Sequence, residues 1–82
     1  MTPRVRFSVN LRKARRAIGI SQQALGERCG LHRTEISLLE RGLREPRLGT
    51  IVKLAGSLGI PPAKLAMGMS WNVDKQRFEF KP

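Results

Sequence analysis

The run from Ser21 to Gly42, SQQALGERCGLHRTEISLLERG, leaves this chain few folds to choose from. It reads as two short helices hinged at Gly30-Leu31. Ser21 is a good N-cap, because its hydroxyl can accept from a free N–H of the first turn, and Gly30 supplies the left-handed residue on which a helix stops. A second helix follows at once. His32 takes its N-cap place, Glu35 stands where its carboxylate can reach back to the cap N–H, and Leu31 can pack on Ile36 as a hydrophobic staple. Ala24, Leu25 and Cys29 on the first of these helices and Ile36 and Leu39 on the second are the expected inward positions, with Gly42 closing the pair. A turn this tight makes the helices cross steeply, so one can be pushed into a groove while the other lies across its rim.

The flanking segments supply the rest of a small core. Phe7, Leu11, Ala14 and Ile18 recur at helical spacing and Gly19 ends that helix, while residues 1–6, with Pro3, Arg4 and Arg6, carry no helical pattern and read as a mobile basic arm. The other face of the first helix gathers Arg12, Lys13, Arg15 and Arg16, as a solvated surface or as contacts to a phosphate backbone. An Arg-rich loop, Leu43 to Arg47, leads to a fourth helix over 48–58, with Leu48, Ile51, Val52, Leu54, Ala55 and Leu58 as a broad apolar stripe and Gly59 as its stop. A short fifth helix begins at Pro61-Pro62 and carries Leu65. From Met69 the period changes to two: Met69, Trp71 and Val73, then Phe78 and Phe80, flank a turn at Asp74-Lys75-Gln76 and predict a β-hairpin. A lone hairpin is marginal, so it must pack on its own helices or pair with a second copy. Its load of aromatic residues favours the second arrangement, with Trp71, Val73, Phe78 and Phe80 as dimerisation residues. The expected organisation is an arm over 1–6, a helical domain over 7–67 and a β tail over 68–82.

Charge narrows the partner. Sixteen Lys and Arg against six Asp and Glu give a net charge of +10, which favours a polyanion. Nucleic acid is the first candidate and an anionic membrane the second, but a membrane partner is not expected, because a span requires about 18 apolar residues or a strongly apolar amphipathic anchor and the apolar stretches here are broken every few residues by Arg, Lys or Gly. No apolar core follows the basic N-terminus, so no signal peptide is expected and the cytoplasm is the expected compartment. Cys29 and His32 do not complete a tetrahedral metal site, and the chain holds no further Cys or His, so neither metal nor cofactor is expected. His32 has no nucleophile or carboxylate partner in a pocket, which argues against an enzyme.

The segment Ser21–Gly42, continued by LREPRLGTIVKLAGSLGI, closely resembles the Cro/C1-type helix-turn-helix family, also called the xenobiotic-response-element family, of bacterial and phage transcription regulators. Ser-Gln opening helix two, the small residue Gly26, Gly30 in the turn, Ile36, Glu40-Arg41-Gly42, Pro46 and Leu54-Ala55 all fall in register over Phe7 to Leu65. The resemblance implies an all-α, five-helix, lambda-repressor-like DNA-binding domain, here followed by the short hairpin, with a recognition helix at about 32–41 in the major groove. By position it implies that Arg33, Thr34, Ser37 and Leu38 face base edges, that Gln22 meets a phosphate and braces Arg33, and that Arg41, Gly42 and Arg44 form a second backbone clamp.

Elementary chemistry agrees with that division. With Ile36 and Leu39 inward, helix three presents a guanidinium suited to guanine, two small hydroxyls and an aliphatic side chain suited to a thymine methyl. The N-terminus at Ser21 and Gln22 offers N–H groups and a positive dipole end to phosphate oxygens. Three residues depart from the commoner pattern. Glu35 replaces a neutral residue and is expected to cap its helix, with a cytosine amino group or Arg33 as other partners. Leu38 replaces a frequent cation and points to an A·T pair. Gly26 replaces the usual Ala and allows helix three to approach closely.

The expected function is therefore a sequence-specific, double-stranded-DNA-binding transcription regulator, a repressor, acting as a homodimer on an inverted repeat with half-sites about one helical turn apart. The competing reading is a protein-interaction module, such as an antitoxin or a restriction-modification controller, whose tail binds a partner.

Overall fold

A computed structural model describes Met1–Pro82. It contains four α-helices, α1 Pro3–Ala17, α2 Gln22–Cys29, α3 Arg33–Glu40 and α4 Leu48–Leu58, then a 3₁₀ turn Pro62–Ala66 and an antiparallel hairpin of β1 Met69–Asn72 and β2 Arg77–Phe80.

The helix starts at Pro3, not Phe7. Thr2 adopts an extended conformation and its hydroxyl accepts from the Val5 N–H at 3.4 Å, with Pro3 in the first turn. Residues 3–6 are thus helical rather than an arm: Thr2-Pro3 is a capping signal that the scarcity of apolar residues there concealed. Arg6 is drawn into the fold as well, donating from Nη1 to the Lys81 carbonyl and lying over the Phe80 ring at 5.6 Å from its centroid.

The core brings one stripe from each helix together: Phe7 and Leu11 of α1, Leu25 and Cys29 of α2, Ile36 and Leu39 of α3, and Leu54, Ala55 and Leu58 of α4, with Leu65 of the 3₁₀ turn as the plug. Ala14, Ile51 and Leu31 pack at its edge. Three residues assigned to apolar stripes are exposed. Ile18 lies beyond the last turn of α1, at its C-cap, and Leu48 and Val52 sit one turn apart on α4, outside the arc occupied by Ile51, Leu54, Ala55 and Leu58. Ala24 is half-buried beside Leu25. The fifth helix is a single 3₁₀ turn, as its length and paired prolines permit.

Two glycines allow the close approaches on which the helix pair depends. A Cβ at Gly26 would strike the Leu31 carbonyl, so the turn rests directly on the α2 backbone, and the Leu31 N–H donates to the Gly26 carbonyl at 2.8 Å. Gly42, at φ +69°, lies against Val5 of α1, where a Cβ would come within 3.2 Å of its Cγ2.

The most buried ion pair in the fold is one the sequence left unread. Glu40, only 1% exposed, receives Arg15 bidentately, Nε to Oε2 at 2.6 Å and Nη2 to Oε1 at 2.9 Å. Arg15 Nη1 also donates to the Ile20 carbonyl at 2.8 Å, and Arg12 Nη1 to the Glu40 carbonyl at 2.6 Å. The hydrogen bond to Glu40 raises the proton affinity of Arg15 above its ordinary value. Arg12 and Arg15 therefore fasten α1 to the C-terminal end of α3, a role neither as solvated charges nor as phosphate ligands.

In the hairpin, Met69 pairs with Phe80 and Trp71 with Phe78 on one face, and Ser70 with Glu79 and Asn72 with Arg77 on the other. Met69 and Phe80 are half-buried at its base, whereas Trp71 and Phe78, in edge contact at 5.0 Å, keep about half their surface exposed. Val73 lies in the loop that joins the strands, not in β1. The loop needs four residues, 73–76, to reverse the chain, with Gln76 at φ +52°.

Removing one partner of a buried ion pair strands the other, so Glu40→Ala is expected to cost about 3–5 kcal/mol in urea-induced unfolding. A loss under about 1 kcal/mol would show that the pair does not hold α1 to α3.

Candidate nucleic-acid interface

The outward surface of α3 follows from what its inward stripe buries. With Ile36, Leu39 and Glu40 turned to the core, Arg33, Thr34 and Arg41 are exposed and Ser37 and Leu38 half-buried on the opposite side. Five side chains of different chemistry thus share one face: a guanidinium at each end, two hydroxyls and a branched aliphatic between them. The N-terminus of α3 is set by His32, whose Nδ1 accepts from the Thr34 N–H at 3.0 Å. That bond directs the imidazole to the helix end, while the Cys29 thiol donates to the Leu25 carbonyl at 3.1 Å.

Beside this face lies the start of α2. Ser21 Oγ accepts from the Ala24 N–H at 3.0 Å, as an N-cap should. Gln22, half-buried, does not meet Arg33; its Nε2 donates to Glu40 Oε1 at 3.2 Å. The shift has a simple cause, since Glu40 is a buried carboxylate with lone pairs left over after Arg15 and attracts the nearest donor. One Glu40 carboxylate thus orients α1, the start of α2 and the end of α3 together. Sequence reasoning missed it, although Glu40 stands one turn after Ile36 on the inward stripe, which is the signal that could have exposed it.

Two further residues differ from expectation. Glu35 does not cap α3; its carboxylate takes Arg44 Nη1 at 2.6 and 3.0 Å, forming a half-exposed ion pair between α3 and the loop after it. His32 caps the helix with its own ring nitrogen, and the carboxylate, in place of reaching back to the His32 N–H, pairs with the Arg44 guanidinium that the next loop brings to it. Arg44 keeps Nε and Nη2 outside this pair and remains 53% exposed in its side chain. Gly42 is buried against α1 and its N–H donates to the Leu39 carbonyl at 3.2 Å, so it has no donor to offer a phosphate. Of the three residues expected to clamp a backbone at this end, Arg41 and Arg44 are the ones with exposed side chains. No helix is long and apolar enough to cross a membrane.

Comparison with known proteins bears on this geometry. The helix-turn-helix family profile matches residues 11–65. The crystal structure of the restriction-modification controller protein C.AhdI from Aeromonas hydrophila superposes with a TM-score of 0.74 at 42% identity, over 76% of this chain and 94% of that one. The P22 c2 repressor in complex with a synthetic operator superposes at 0.71 with 31% identity, over 76% and 94% of the two chains. The control protein C.BamHI of Bacillus amyloliquefaciens is 46% identical over 56% of this chain, which spans 57% of its length; a regulator of Sinorhizobium fredii, y4dL, is matched over 26% of its length.

His32→Ala removes a cap bond and should cost about 1 kcal/mol, whereas Glu35→Ala breaks only a partly solvated pair and should cost less. Urea titrations of the two variants check the order; a larger loss for Glu35→Ala would show that the pair with Arg44 holds α3 to its loop more firmly than a partly solvated contact should.

Proposed function

This chain belongs to the helix-turn-helix family, and from that premise we propose that it is a sequence-specific regulator of transcription that binds double-stranded DNA and represses by occupying a promoter. The observation that carries the reading is the outward face of α3, where Arg33, Thr34, Ser37 and Leu38 stand together beside the N-terminus of α2. In the major groove these four read base edges. Arg33 forms a bidentate pair with a guanine, Thr34 and Ser37 supply adaptable hydroxyls, and Leu38 packs on a thymine methyl. Gln22, Ser21 with its neighbouring N–H groups, Arg41 and Arg44 meet the phosphates and fix the register in which bases are read.

The Glu35–Arg44 pair tempers this surface. A carboxylate near DNA is unfavourable unless a cation accompanies it, and Arg44 both neutralises Glu35 and presents its remaining donors outward. With a net charge of +10, unselective attraction is strong, and specificity must come from the α3 side chains. The site is a dimer's half: two copies related by a two-fold axis engage an inverted repeat, and the aromatic tail residues Trp71, Phe78 and Phe80 join them. The place of action is the cytoplasm, on the nucleoid.

A narrower role is favoured by the likeness to two controller proteins, namely control of a restriction-modification operon. Selection of bound fragments from the source genome tests both readings: one enriched motif upstream of a nuclease and methyltransferase pair supports the narrower, and an enriched motif elsewhere supports only the broader. No enriched motif sinks both.

Arg33→Ala should cost about 1–3 kcal/mol on the selected site and relax preference at one base, whereas Arg44→Ala should weaken all sequences alike and lower the salt dependence by about one ion. Gel shifts across a series of single-base variants and salt concentrations separate the two. Equal losses on every sequence for both variants would refute the division between reading and holding.

A further inference from the structure

We infer that the free edge of β2 is a self-complementary docking surface for the β2 strand of a second copy, in one register, centred on Phe78. This rests on the dimeric reading above and names the strand, the register and the charges that select it.

The hairpin's own register shows which backbone groups are free. Lys81 donates its N–H to the Gly68 carbonyl at 2.9 Å, one pair below Met69 and Phe80. In an antiparallel ladder, hydrogen-bonded pairs alternate with non-bonded ones. Ser70 with Glu79 and Asn72 with Arg77 therefore carry the inner bonds, and Phe78 and Phe80 turn their N–H and C=O groups away from β1. An edge so exposed is a template for another strand.

A two-fold axis limits the ways two β2 strands can meet. Bonding requires outward residues to face outward residues, so the axis must pass through a residue and not between two. Centred on Glu79, the pairing opposes Glu79 to its own copy and Arg77 to Lys81. Centred on Arg77, it opposes Arg77 to itself. Centred on Phe80, it pairs Phe78 with Pro82, which has no N–H to give. Centred on Phe78, it exchanges two bonds between the Phe78 backbones and places Arg77 of each copy opposite Glu79 of the other. Arg77 and Glu79 lie on the same face of the strand, 3.5 Å apart and both substantially exposed, so each can turn to the opposite copy. On the other face Phe78 and its copy meet, flanked by both Trp71 rings.

The result is a four-stranded sheet, β1-β2-β2-β1, in place of two marginal hairpins. It covers part of the apolar surface that Trp71 and Phe78 expose in one copy. The base of each hairpin stays in place, because Arg6 holds Lys81 and Phe80 to α1.

Charge exchange tests the register. Arg77→Glu alone and Glu79→Arg alone each oppose like charges at both ends of the contact, so each should weaken self-association about 10- to 30-fold in sedimentation equilibrium. An equimolar mixture of the two should recover the dimer, because a chain with two glutamates then faces a chain with two arginines. Phe78→Cys supplies an independent readout: only this register brings the two introduced thiols together, at a Cα separation of about 5.5 Å, within disulfide reach. Oxidation should then yield a linked dimer, with Cys29 buried in the core and out of reach. Single variants that associate as the unaltered chain does, absence of the Phe78→Cys link, or linkage through Trp71→Cys instead, overturn the edge assignment while leaving the dimer. An unaltered chain that stays monomeric, both free and on an inverted-repeat duplex, overturns the dimeric reading with it.

Discussion

Everything on the α3 surface depends on the burial of one carboxylate. Glu40 lies at the last turn of α3, where the helix leaves carbonyl groups unpaired and the dipole end is negative. An acid is a poor choice there unless cations attend it closely. Arg15 supplies a forked pair to the carboxylate, Arg12 donates to the Glu40 carbonyl, and Gln22 takes a remaining lone pair. Such an ion pair adds little net stability over apolar residues of the same size, because two charges must leave water to form it. Its contribution is geometric. A hydrocarbon contact tolerates sliding and rotation, whereas a bidentate guanidinium–carboxylate pair does not. The angle between α1 and α3, and the position of Gln22 at the start of α2, are set by that fork.

The same bond links the two kinds of contact a DNA-binding surface needs. In the proposed complex Gln22 lies on the phosphate side of the site and α3 on the base side, and the structure holds both on Glu40. A shift of α3 in the groove would have to carry Gln22 with it. The turn adds a second restraint, since Gly26 lets the Leu31 carbonyl rest on α2 where any side chain would hold it off. Between them, a polar lock at one end of α3 and a bare backbone contact at the other leave the helix little freedom to tilt.

How much of this was legible in the sequence differs by the kind of force involved. The helix pair was readable because caps and stops are local: Ser21, Gly30, His32 and Gly42 act within a turn or two of where they stand, and all four occupy the conformations expected. The inward Leu25, Ile36 and Leu39 were readable from period alone. Leu48 and Val52 were misassigned because apolar character does not say how wide an arc the neighbours can cover. The polar network was not legible at all, since Arg12 and Arg15 look the same in sequence whether they face water, phosphate or, as here, the carbonyl and the carboxylate of a distant Glu40. Glu35 failed for a related reason: the His32 N–H was its local partner, but a cation from the next loop took the carboxylate. Local rules rank the possible partners of a charge, but only the assembled fold decides which is nearest.

The hairpin poses the opposite case, in which period two was plain and its consequence was not. Trp71 and Phe78 face the same way as Met69 and Phe80, yet only the pair at the base finds cover. Were the hairpin a mere cap on its own core, the outer pair would serve no purpose and polar residues would be cheaper to keep soluble. Were it a flexible tail, Arg6 would not be spent on tying Lys81 and Phe80 to α1, nor would Gly68 be needed where a Cβ would strike that guanidinium. A rigid base with an apolar outer half suits the edge pairing proposed above, since it would hold that edge at a fixed orientation to the helices. In the proposed dimer on an inverted repeat this orientation has a direct consequence, because strand pairing and the strut at Arg6, and not the helical core, would set the separation of the two α3 helices.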